Sequence, residues 1–441
     1  MTTNPFAVAF ACVAAHALAA PPTDWTFQLQ CRSSLDPDTP AFNLPIGSSL
    51  SSQYVTLDDD GGVAIRVVLG LPDATEGVFY GRQGVGGLIH TVNSTEPVYS
   101  SGIALRNGRI AMPIFFSGVE VRNTTGALEQ YFAPGGPEGV SGFSSLSITS
   151  DGALGYRGDF GSEQKNIIDE FVSGVRTQTQ VANTFDGLYS YLFSPKLNDA
   201  RQMAAKVFPQ AGGQAIYRWE PGGSRTLIAQ TGAIYNAFVN SIALADNGLI
   251  AFSGRRTADA RWQVMRADGT SETLIAQGGD LGIVDSSIAN FPPVVNSDGL
   301  VALRASDAVS TALWVGDGDG LVKLIEYGQS IDTDIGPLTF GFDFGGLTGK
   351  QVMNGAIAIN DDGQVAFAAF LNNGTIGVFV ATPDDTCAPD FTGEGVLDFF
   401  DVQAFLAAFA AHDPGADLAP DGLFDFFDVQ AFLQAFAAGC P

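Results

Sequence analysis

The chain has 441 residues, of which 46% are hydrophobic and only 15% charged, so it is long enough to bury a large core and to form more than one domain. Its formal net charge is −26, from 47 acidic and 21 basic residues. Nucleic acids and anionic membrane surfaces are bound by clustered Lys and Arg, so this balance argues against both as partners and favours cations. The 53 Gly and 22 Pro residues favour short strands joined by tight turns.

The beginning of the chain is typical of an export signal. An apolar run from Phe6 to Ala20 precedes Pro21 and Pro22, and Ala17-Leu18-Ala19 offers small residues for cleavage. Residues 1–20 are therefore predicted to be a signal peptide, although no Lys or Arg precedes the run; a buried N-terminal strand or helix is the alternative. Since no later segment reaches about 20 uninterrupted apolar residues, the mature protein is predicted to have no transmembrane segment and to be secreted or attached to the cell surface.

Between residues 50 and 381 a polar turn that opens onto an apolar strand recurs. Asp-Gly and Asn-Gly pairs supply the positive φ angles of a two-residue hairpin turn, and β-branched and aromatic residues follow, so each copy predicts a hairpin. Successive copies lie about 44 to 51 residues apart, with one step of about 64 at the end. The copies are marked by Gly61, Gly108, Gly152, Ala200 in a degenerate copy, Gly248, Gly299 and Gly363.

The strand count of each repeat predicts the fold. A second strand pair, such as Gln214–Trp219 followed by Arg225–Gln230, gives about four strands per unit, as in a β-propeller blade. The main domain, residues 21–381, is thus predicted to be mainly β and a seven-bladed propeller. The last unit is one strand short, and Thr26–Cys31 is expected to complete it and close the ring. Two β-sandwich domains are the alternative; in either fold Cys31 is expected to be a small buried side chain.

One copy of the turn resembles a known repeat family. Asn360-x-x-Gly363-x-x-Ala366-Phe367 is similar to the tandem NxxGxxAF repeat of exported bacterial proteins with interchangeable C-terminal anchors, although most copies here replace the Asn. The resemblance implies a repeat scaffold without an established activity.

After a short polar linker, residues 382–386, the segments Asp390–Phe409 and Asp417–Phe436 align without gaps. Oxygen-bearing residues occupy most of positions 1, 3, 5, 9 and 12 of an EF-hand-like loop in each copy, with a glycine at position 6. Because Ca²⁺ prefers six to eight oxygen ligands, the spacing predicts two Ca²⁺ sites; the alternative is that these acids form solvated turns. Ala419, at position 3 of the second loop, offers no oxygen, so that site is expected to bind more weakly. The predicted ligands are Asp390, Thr392, Glu394, the carbonyl of Val396, Asp398 and Asp401, and then Asp417, Asp421, the carbonyl of Leu423, Asp425 and Asp428.

Each loop is followed by an apolar stripe at helical spacing, which predicts two helices packed together. The stripes are Val402, Phe405, Leu406 and Phe409, and Val429, Phe432, Leu433 and Phe436. This duplicated loop-helix unit resembles the type I dockerin module. The resemblance implies docking to a cohesin-like or other cell-surface protein through loop positions 10 and 11 and the following helix. Those positions are Phe399, Phe400, Phe426 and Phe427, which either form a hydrophobic docking surface or fill the small core.

Two cysteines bracket this C-terminal domain, residues 387–441. A disulfide between Cys387 and Cys440 would stabilise it by about 4 kcal/mol in the chain-entropy model, and export makes the bond chemically reasonable. The ending Gly439-Cys440-Pro441 resembles the dockerin subtype found at the C-termini of exported bacterial proteins.

The main domain carries no motif that predicts a reaction. His90 follows an apolar run, and neither a catalytic triad signature nor a zinc or phosphate-loop motif is present in the sequence. The sequence therefore favours an exported binding or structural protein, with the propeller face as a recognition surface, for example for a glycan. The alternative is a polysaccharide hydrolase or lyase, because proteins with dockerins often degrade polysaccharides.

Overall fold

The computed structural model describes residues 21–34, 40–71, 74–92, 102–114, 117–140, 142–346, 349–384, 389–392, 397–413, 416, 418 and 423–439. The protein consists of two units, Ala20–Pro383 and a second that contains Asp384–Pro441. No helix in the described ranges is both long and apolar enough to cross a bilayer.

The Ala20–Pro383 unit is a seven-bladed β-propeller, as the repeats predict, and each blade is an antiparallel sheet. Strand β1 (Trp25–Arg32) precedes the first blade. Blade 1 contains β2 (Ser49–Leu57), β3 (Val63–Leu71), β4 (Ala74–Arg82) and β5 (Val85–Val92); blade 2 contains β6 (Ala104–Arg106), β7 (Arg109–Ile114), β8 (Gly118–Asn123) and β9 (Leu128–Phe132); blade 3 contains β10 (Ser147–Ile148), β11 (Leu154–Phe160), β12 (Glu163–Val172) and β13 (Val175–Asn183).

In blades 4 and 5 the innermost strand is broken into two pieces that pair with the same neighbour. Blade 4 contains β14 (Tyr189–Leu192), β15 (Lys196–Leu197), β16 (Met203–Pro209), β17 (Ala215–Trp219) and β18 (Arg225–Gln230); blade 5 contains β19 (Tyr235–Phe238), β20 (Ala243–Leu244), β21 (Ile250–Arg256), β22 (Trp262–Ala267) and β23 (Glu272–Gln277). Two 3₁₀ turns follow, Asp280–Gly282 and Asp285–Ala289.

The last two blades are separated by an insertion of two small hairpins, which accounts for the longest repeat step. Blade 6 contains β24 (Val294–Val295), β25 (Val301–Ser306), β26 (Thr311–Gly316) and β27 (Leu321–Ile325); the insertion contains β28 (Ser330–Thr333), β29 (Gly336–Thr339), β30 (Phe342–Asp343) and β31 (Lys350–Gln351); blade 7 contains β32 (Met353–Ile359), β33 (Val365–Phe370) and β34 (Ile376–Pro383). Strand β34 extends into the first two residues of the predicted linker.

Strand β1 closes the ring, which confirms the prediction made for Thr26–Cys31. It pairs antiparallel with β34, from Trp25 opposite Pro383 to Arg32 opposite Gly377, and so becomes the outermost strand of blade 7. Both ends of the propeller chain are thereby held in one sheet. Cys31 is a fully buried free thiol in this strand, and burial raises the pKa of its thiol above the ordinary value.

A buried ion pair fastens the closing strand to the insertion. The Arg32 side chain is fully buried, and its Nε and Nη2 donate to the two carboxylate oxygens of Asp334 at 2.9 and 2.8 Å. Asp334 lies in the turn between β28 and β29. Nη2 also donates to the carbonyl of Pro40 at 2.8 Å. Two hydrogen bonds between the guanidinium and the carboxylate fix the relative orientation of the two side chains in addition to pairing their charges. The insertion therefore braces the ring closure.

The repeated turn between the innermost and second strands differs from the prediction. In six blades its loop has three residues, as blade 7 shows: the Asn360 N–H donates to the Gln364 carbonyl, the Gly363 N–H donates to the Asn360 carbonyl, and Gly363 has φ of 73°. This is a tight turn followed by a left-handed residue, a hairpin geometry that glycine favours. A two-residue turn occurs in blade 2 at Asn107 and Gly108, with φ of 47° and 69°.

The degenerate copy of the turn, in blade 4, is shifted by one residue from its predicted marker. Arg201, not Ala200, takes the glycine position, with φ of 61° and its N–H donated to the Asn198 carbonyl. An arginine there adopts a backbone conformation that non-glycine residues rarely take.

The first residue of the turn joins neighbouring blades. In blade 7 the buried Asn360 accepts the Gln364 N–H at 2.9 Å through Oδ1, while its Nδ2 donates to the Asp58 carbonyl of blade 1 at 3.0 Å. In blade 4, Asn198 likewise accepts the Gln202 N–H within its turn and donates through Nδ2 to the Ala245 carbonyl of blade 5. The Asn therefore stabilises its own turn and links its blade to the next.

The second unit contains helices α1 (Phe399–Ala410) and α2 (Phe426–Ala438). Their contact is centred on the rings of Phe405 and Phe432, which stack with centroids 4.1 Å apart and planes 3° from parallel. Both rings are almost fully buried. The remaining stripe residues Val402, Phe409, Val429 and Phe436 are partly buried around them.

Two residues of the predicted helix contact lie outside it. Leu406 and Leu433 are 52% and 55% exposed, so their placement in the interface was wrong. Each follows a buried Phe by one position, and one residue of an α-helix turns by about 100°. The adjacent side chain is therefore carried away from the stacked rings.

We expect the substitution Arg32→Met to destabilise the propeller by about 3 kcal/mol, because it leaves the largely buried Asp334 carboxylate without its cation. All four Trp residues lie within the propeller unit, so Trp fluorescence during urea unfolding reports this unit. Arg82→Met is the matched control, since Arg82 pairs with Asp60 at 2.9 Å with both side chains nearly half exposed. It should cost less than about 1 kcal/mol. Equal effects of the two substitutions would show that the Arg32 pair does not brace the closure.

Candidate functional site

The innermost strands of the seven blades surround a central channel with a cavity of about 260 Å³. Each of these strands is paired with its own sheet along one edge, so the other edge directs backbone N–H and C=O groups toward the channel. The side chains that line the cavity are mainly apolar, with charged residues at the repeated turns and Lys196 of β15 farther along the strand. The channel thus combines apolar walls with a few charged groups.

The second residues of the six three-residue turns, together with Arg106 just before the two-residue turn of blade 2, lie around one mouth of the channel. Three of them are aspartates that accept the backbone N–H of the equivalent residue in the preceding blade. Asp199 accepts from Ser150 at 2.6 Å, Asp246 from Asp199 at 3.1 Å, and Asp361 from Ser297 at 2.8 Å. We call this set the mouth ring: Asp59, Arg106, Ser150, Asp199, Asp246, Ser297 and Asp361.

Arg106 is the single cation of the mouth ring and reaches across it. Its Nη1 donates to Asp59 at 2.9 Å and its Nε to Asp199 at 3.4 Å, and Nη2 donates to Asp246. These partners belong to blades 1, 4 and 5. Burial opposes the charge of the guanidinium, but the surrounding carboxylates outweigh it and raise the pKa of Arg106. The side chain therefore stays charged and spans the mouth.

Asp59 titrates near neutral pH although it contacts Arg106. Burial raises the pKa of Asp59 to about 6; the attraction of Arg106 works against this, and repulsion from Asp361 and Asp58 adds to it. One guanidinium shared among several carboxylates cannot neutralise all of them. The mouth ring therefore has net negative charge and one carboxyl group that binds a proton in mildly acidic solution.

In the second unit, the structure brings together three positions of the first predicted calcium loop. The Thr392 hydroxyl lies 3.2 Å from Asp390 Oδ1 and 2.8 Å from Asp401 Oδ1. Asp401 is fully buried and also accepts the backbone N–H groups of Asp398 and Thr392, at 2.9 and 3.0 Å. These donors, with the Asp398 N–H foremost, lower the pKa of Asp401 to about 2. Positions 1, 3 and 12 thus form a cluster of oxygens around an ionised carboxylate.

The second copy begins its helix in the same way. Asp425 Oδ1 accepts the Phe427 N–H at 2.8 Å, and the Asp425 N–H donates to Asp428 Oδ2 at 2.9 Å. In the first copy Asp398 accepts from Phe400 at 2.6 Å. Both helices therefore start with a reciprocal capping box, and Asp428 is as fully buried as its counterpart.

Several predicted ligands cannot be placed. Glu394, Val396, Asp417, Asp421 and both cysteines of the predicted disulfide, Cys387 and Cys440, lie outside the described residues. Among the residues that are described, no three acidic, His or Cys side chains converge as a metal site. Calcium binding and the disulfide therefore stay predictions.

The four phenylalanines at loop positions 10 and 11 lie outside the helix core. Phe399 and Phe426 are each 72% exposed, and Phe400 and Phe427 are 61% and 60% exposed. The alternative that their rings fill the core does not hold in this structure. Leu406 and Leu433 each lie two helical turns after the first Phe of their helix, on the same face. Each helix consequently presents an exposed apolar face at its start.

Of the two histidines in the described residues, one lies in the outermost strand of blade 1 and the other lies in the second unit. His90 is in β5, the outermost strand of blade 1, where its Nε2 is 3.9 Å from a carboxylate oxygen of Glu120. His412 follows α1 in the second unit and contacts the ring of Phe424. The channel therefore takes its charged groups from acids, Arg106 and Lys196.

Sequence reasoning missed the mouth ring and Lys196. The signal for the ring was available, because aligning the seven turns places Asp59, Arg106, Asp199, Asp246 and Asp361 in one column. Seven-fold closure brings the members of any such column together at the axis. No comparable signal marks Lys196, whose significance depends on its surroundings.

No protein-family model matches the chain, and no curated protein matches it either. Among solved structures, the β-propeller domain of the trilobed protease from Pyrococcus furiosus is 13% identical, with a TM-score of 0.47, and the match covers 76% of this chain and 95% of that one. A puromycin hydrolase is 11% identical with a TM-score of 0.46; the match covers 72% of this chain but only 50% of the hydrolase. BamB from Moraxella catarrhalis is 12% identical with a TM-score of 0.40, over 83% and 94% of the two chains. Similarity at this level carries no information on activity.

We expect the Asp59 carboxyl to make the propeller less stable as the pH rises from about 4 to 7. Its pKa is higher in the folded protein than the value near 4 of an unfolded chain, so the folded state binds this proton more tightly. The resulting stabilisation is complete below about pH 4 and lost as the pH passes about 6. Asp59→Asn removes the ionisable carboxyl group, so the variant does not lose stability in this way as the pH rises. At pH 7.5 it should be more stable than the wild type by about 1 kcal/mol. The effect is this small because solvent screens half of the side chain.

The measurement is the free energy of unfolding, followed by Trp fluorescence at pH 4, 5.5 and 7.5. The control is Asp60→Asn, which removes the neighbouring exposed carboxylate without touching Arg106. If the difference between Asp59→Asn and the wild type does not change with pH, Asp59 does not titrate as described.

Proposed function

We propose that the protein is an exported binding or scaffold protein whose C-terminal unit is a dockerin-type module. In this proposal the module binds two Ca²⁺ ions and attaches the seven-bladed propeller to a cohesin-like or other cell-surface protein. The observation that carries the proposal is the duplicated helix start, in which the position-12 residues Asp401 and Asp428 are both fully buried.

The donor chemistry at this helix start fits calcium. A buried ionised carboxylate needs hydrogen bonds or a cation to offset its lost hydration. The hydroxyl oxygen of Thr392 contacts Asp401 and also lies 3.2 Å from Asp390 Oδ1. Hard oxygen ligands of this kind are what Ca²⁺ prefers over other side chains. The residues that would hold the two ions are Asp390, Thr392, Glu394, Val396, Asp398 and Asp401, and Asp417, Asp421, Leu423, Asp425 and Asp428.

A bound calcium ion would supply positive charge to loops that are otherwise strongly acidic. Each loop contributes several carboxylates within a dozen residues, and their mutual repulsion opposes a compact loop. Metal binding to such a site also contributes to the folding free energy, because the unfolded chain does not offer the same set of ligands. The module is therefore expected to be more stable with calcium than without it.

The exposed aromatic faces support a docking role. Large apolar side chains at the surface are favourable only when another surface covers them, and aromatic residues dominate the binding energy of many interfaces. Here the same face occurs at the start of both helices, formed by Phe399, Phe400 and Leu406 in α1. The polar groups of the repeated turns, in contrast, are used between blades, which supports a scaffold role for the propeller.

We predict that calorimetric titration of the full-length protein with Ca²⁺ after chelation shows two binding events of unequal affinity. The first loop should bind more tightly, because Ala419 removes one oxygen from the second. Asp401→Asn should weaken the tighter event at least tenfold, and Asp428→Asn should act on the weaker one. Asp413→Asn, an exposed acid outside both loops, is the matched control and should change neither. Two equal events, or no calcium-dependent heat, would contradict the assignment.

A second prediction concerns docking on the surface of the producing cell. Replacing Phe399, Phe400, Phe426 and Phe427 by Ala should release most of the protein from the cell surface into the medium, at least a tenfold drop in the bound fraction. Calcium titration should be unchanged, because these side chains are not ligands. Phe185→Ala, which removes a 54% exposed ring from the propeller, should leave the bound fraction as it was. Full retention of the fourfold variant would exclude these rings as the docking surface.

A further inference from the structure

We propose that the central channel of the propeller binds a short-chain monocarboxylate, with the ammonium group of Lys196 as its counter-ion. This proposal concerns the propeller alone and does not depend on calcium or on docking. It stands on the placement of one lysine and on the lining of the cavity around it.

Lys196 differs from the other lysines of the described chain. No acceptor among the described residues lies within hydrogen-bond or ion-pair distance of its ammonium group. The others all have a partner: Lys165 pairs with Glu138, Lys206 donates to the Phe238 carbonyl and Asn240, Lys323 pairs with Asp307, and Lys350 lies over the ring of Tyr327.

Lys196 is one of the residues that line the channel cavity. Protein surrounds the side chain deep inside the propeller, yet part of its surface stays accessible along the cavity wall. Nζ has no partner among the described residues, yet it is not fully buried. Part of its surface is therefore accessible. The accessible part of the side chain therefore includes its charged end, and the channel is the cavity that this residue lines.

An ammonium group in this position lacks a compensating charge. Burial disfavours the charged form and lowers the pKa of Lys196, and no nearby acid opposes that effect. The acids among the described residues that line the cavity belong to the mouth ring, where Arg106 and backbone N–H groups engage them. An anion that enters the cavity would restore the missing charge and gain a strong charge-assisted hydrogen bond.

The walls of the cavity favour a carboxylate that carries a short apolar tail. A cavity of about 260 Å³ admits a small organic molecule but not a polymer. Free strand edges add backbone N–H donors for the head group. One cation matches one negative charge, whereas a dianion would meet uncompensated repulsion from the mouth ring. The apolar side chains available to the tail are Val55, Leu57, Ile103, Ile148, Val295 and Ile357.

The test is titration of the full-length protein with sodium butyrate, followed by ligand-observed NMR. The wild type should show saturable binding, and Lys196→Met, which keeps an unbranched side chain without charge, should weaken it at least tenfold. Lys350→Met is the matched control, because this lysine lies in the insertion and not in the channel, and it should bind like the wild type. Butyramide, the uncharged analogue, should bind at least tenfold more weakly than butyrate.

A second measurement does not rely on a substitution. Lysines are dimethylated with ¹³C-formaldehyde, which preserves their charge, and the Lys196 methyl signal is followed during the titration. We expect this signal to shift with butyrate while the Lys350 signal stays in place. Absence of saturable binding, equal binding of butyramide, unchanged affinity in Lys196→Met, or a chloride affinity equal to that of butyrate would each overturn the proposal.

Discussion

The propeller depends on hydrogen bonds that cross from one inner turn to the next. Apolar packing between blades is strong but has little directional preference, so it does not by itself fix how one sheet is placed against its neighbour. The buried amides of Asn198 and Asn360 donate forward to the next blade, and the carboxylates of Asp199 and Asp361 accept backward from the preceding one. A displaced blade would leave the buried Asn198 and Asn360 amides unpaired, at a cost that apolar contacts do not recover. The turns therefore set the spacing of the ring.

The hydrogen bonds between neighbouring turns also determine which charged groups meet at the channel mouth. Any side chain placed at the second position of every turn is gathered around one axis, so aspartates that serve neighbouring blades also repel one another. Arg106 partly relieves that repulsion because it reaches three blades at once. Burial, together with the repulsion that remains from Asp361 and Asp58, raises the pKa of Asp59 to about 6. Lys196 begins β15, two residues before Asn198 of the turn, and receives no carboxylate of its own, because the acids are used at the turn.

Features that a few neighbouring residues determine were predicted correctly, and features that tertiary packing determines were not. Blade number and closure by Thr26–Cys31 followed from strand signals and spacing, since a hairpin is encoded within a few residues. Turn type did not follow, because Asp-Gly suits both two- and three-residue loops and the hydrogen bond back to Asp58 or Asn360 selects the longer one. The helical stripe included Leu406 because periodicity does not show how wide a buried face is. Lys196 was out of reach, because a missing partner is a property of the folded molecule.

The C-terminal unit depends on hydrogen bonds at the start of each helix. Each helix begins with an aspartate that caps it and another, three residues later, that returns a hydrogen bond to the cap. The positive end of the helix dipole also favours a carboxylate at this place. Asp401 is held there by the backbone N–H groups of Asp398 and Thr392. In the proposed calcium loop this capping box would position one carboxylate ligand, and a bound ion would be held by the remaining ligands of the loop around it. The proposed docking faces start at the same residues, so the helix start that orients Asp401 also orients Phe399 and Phe400. In this proposal calcium would act on docking through the loop that precedes them.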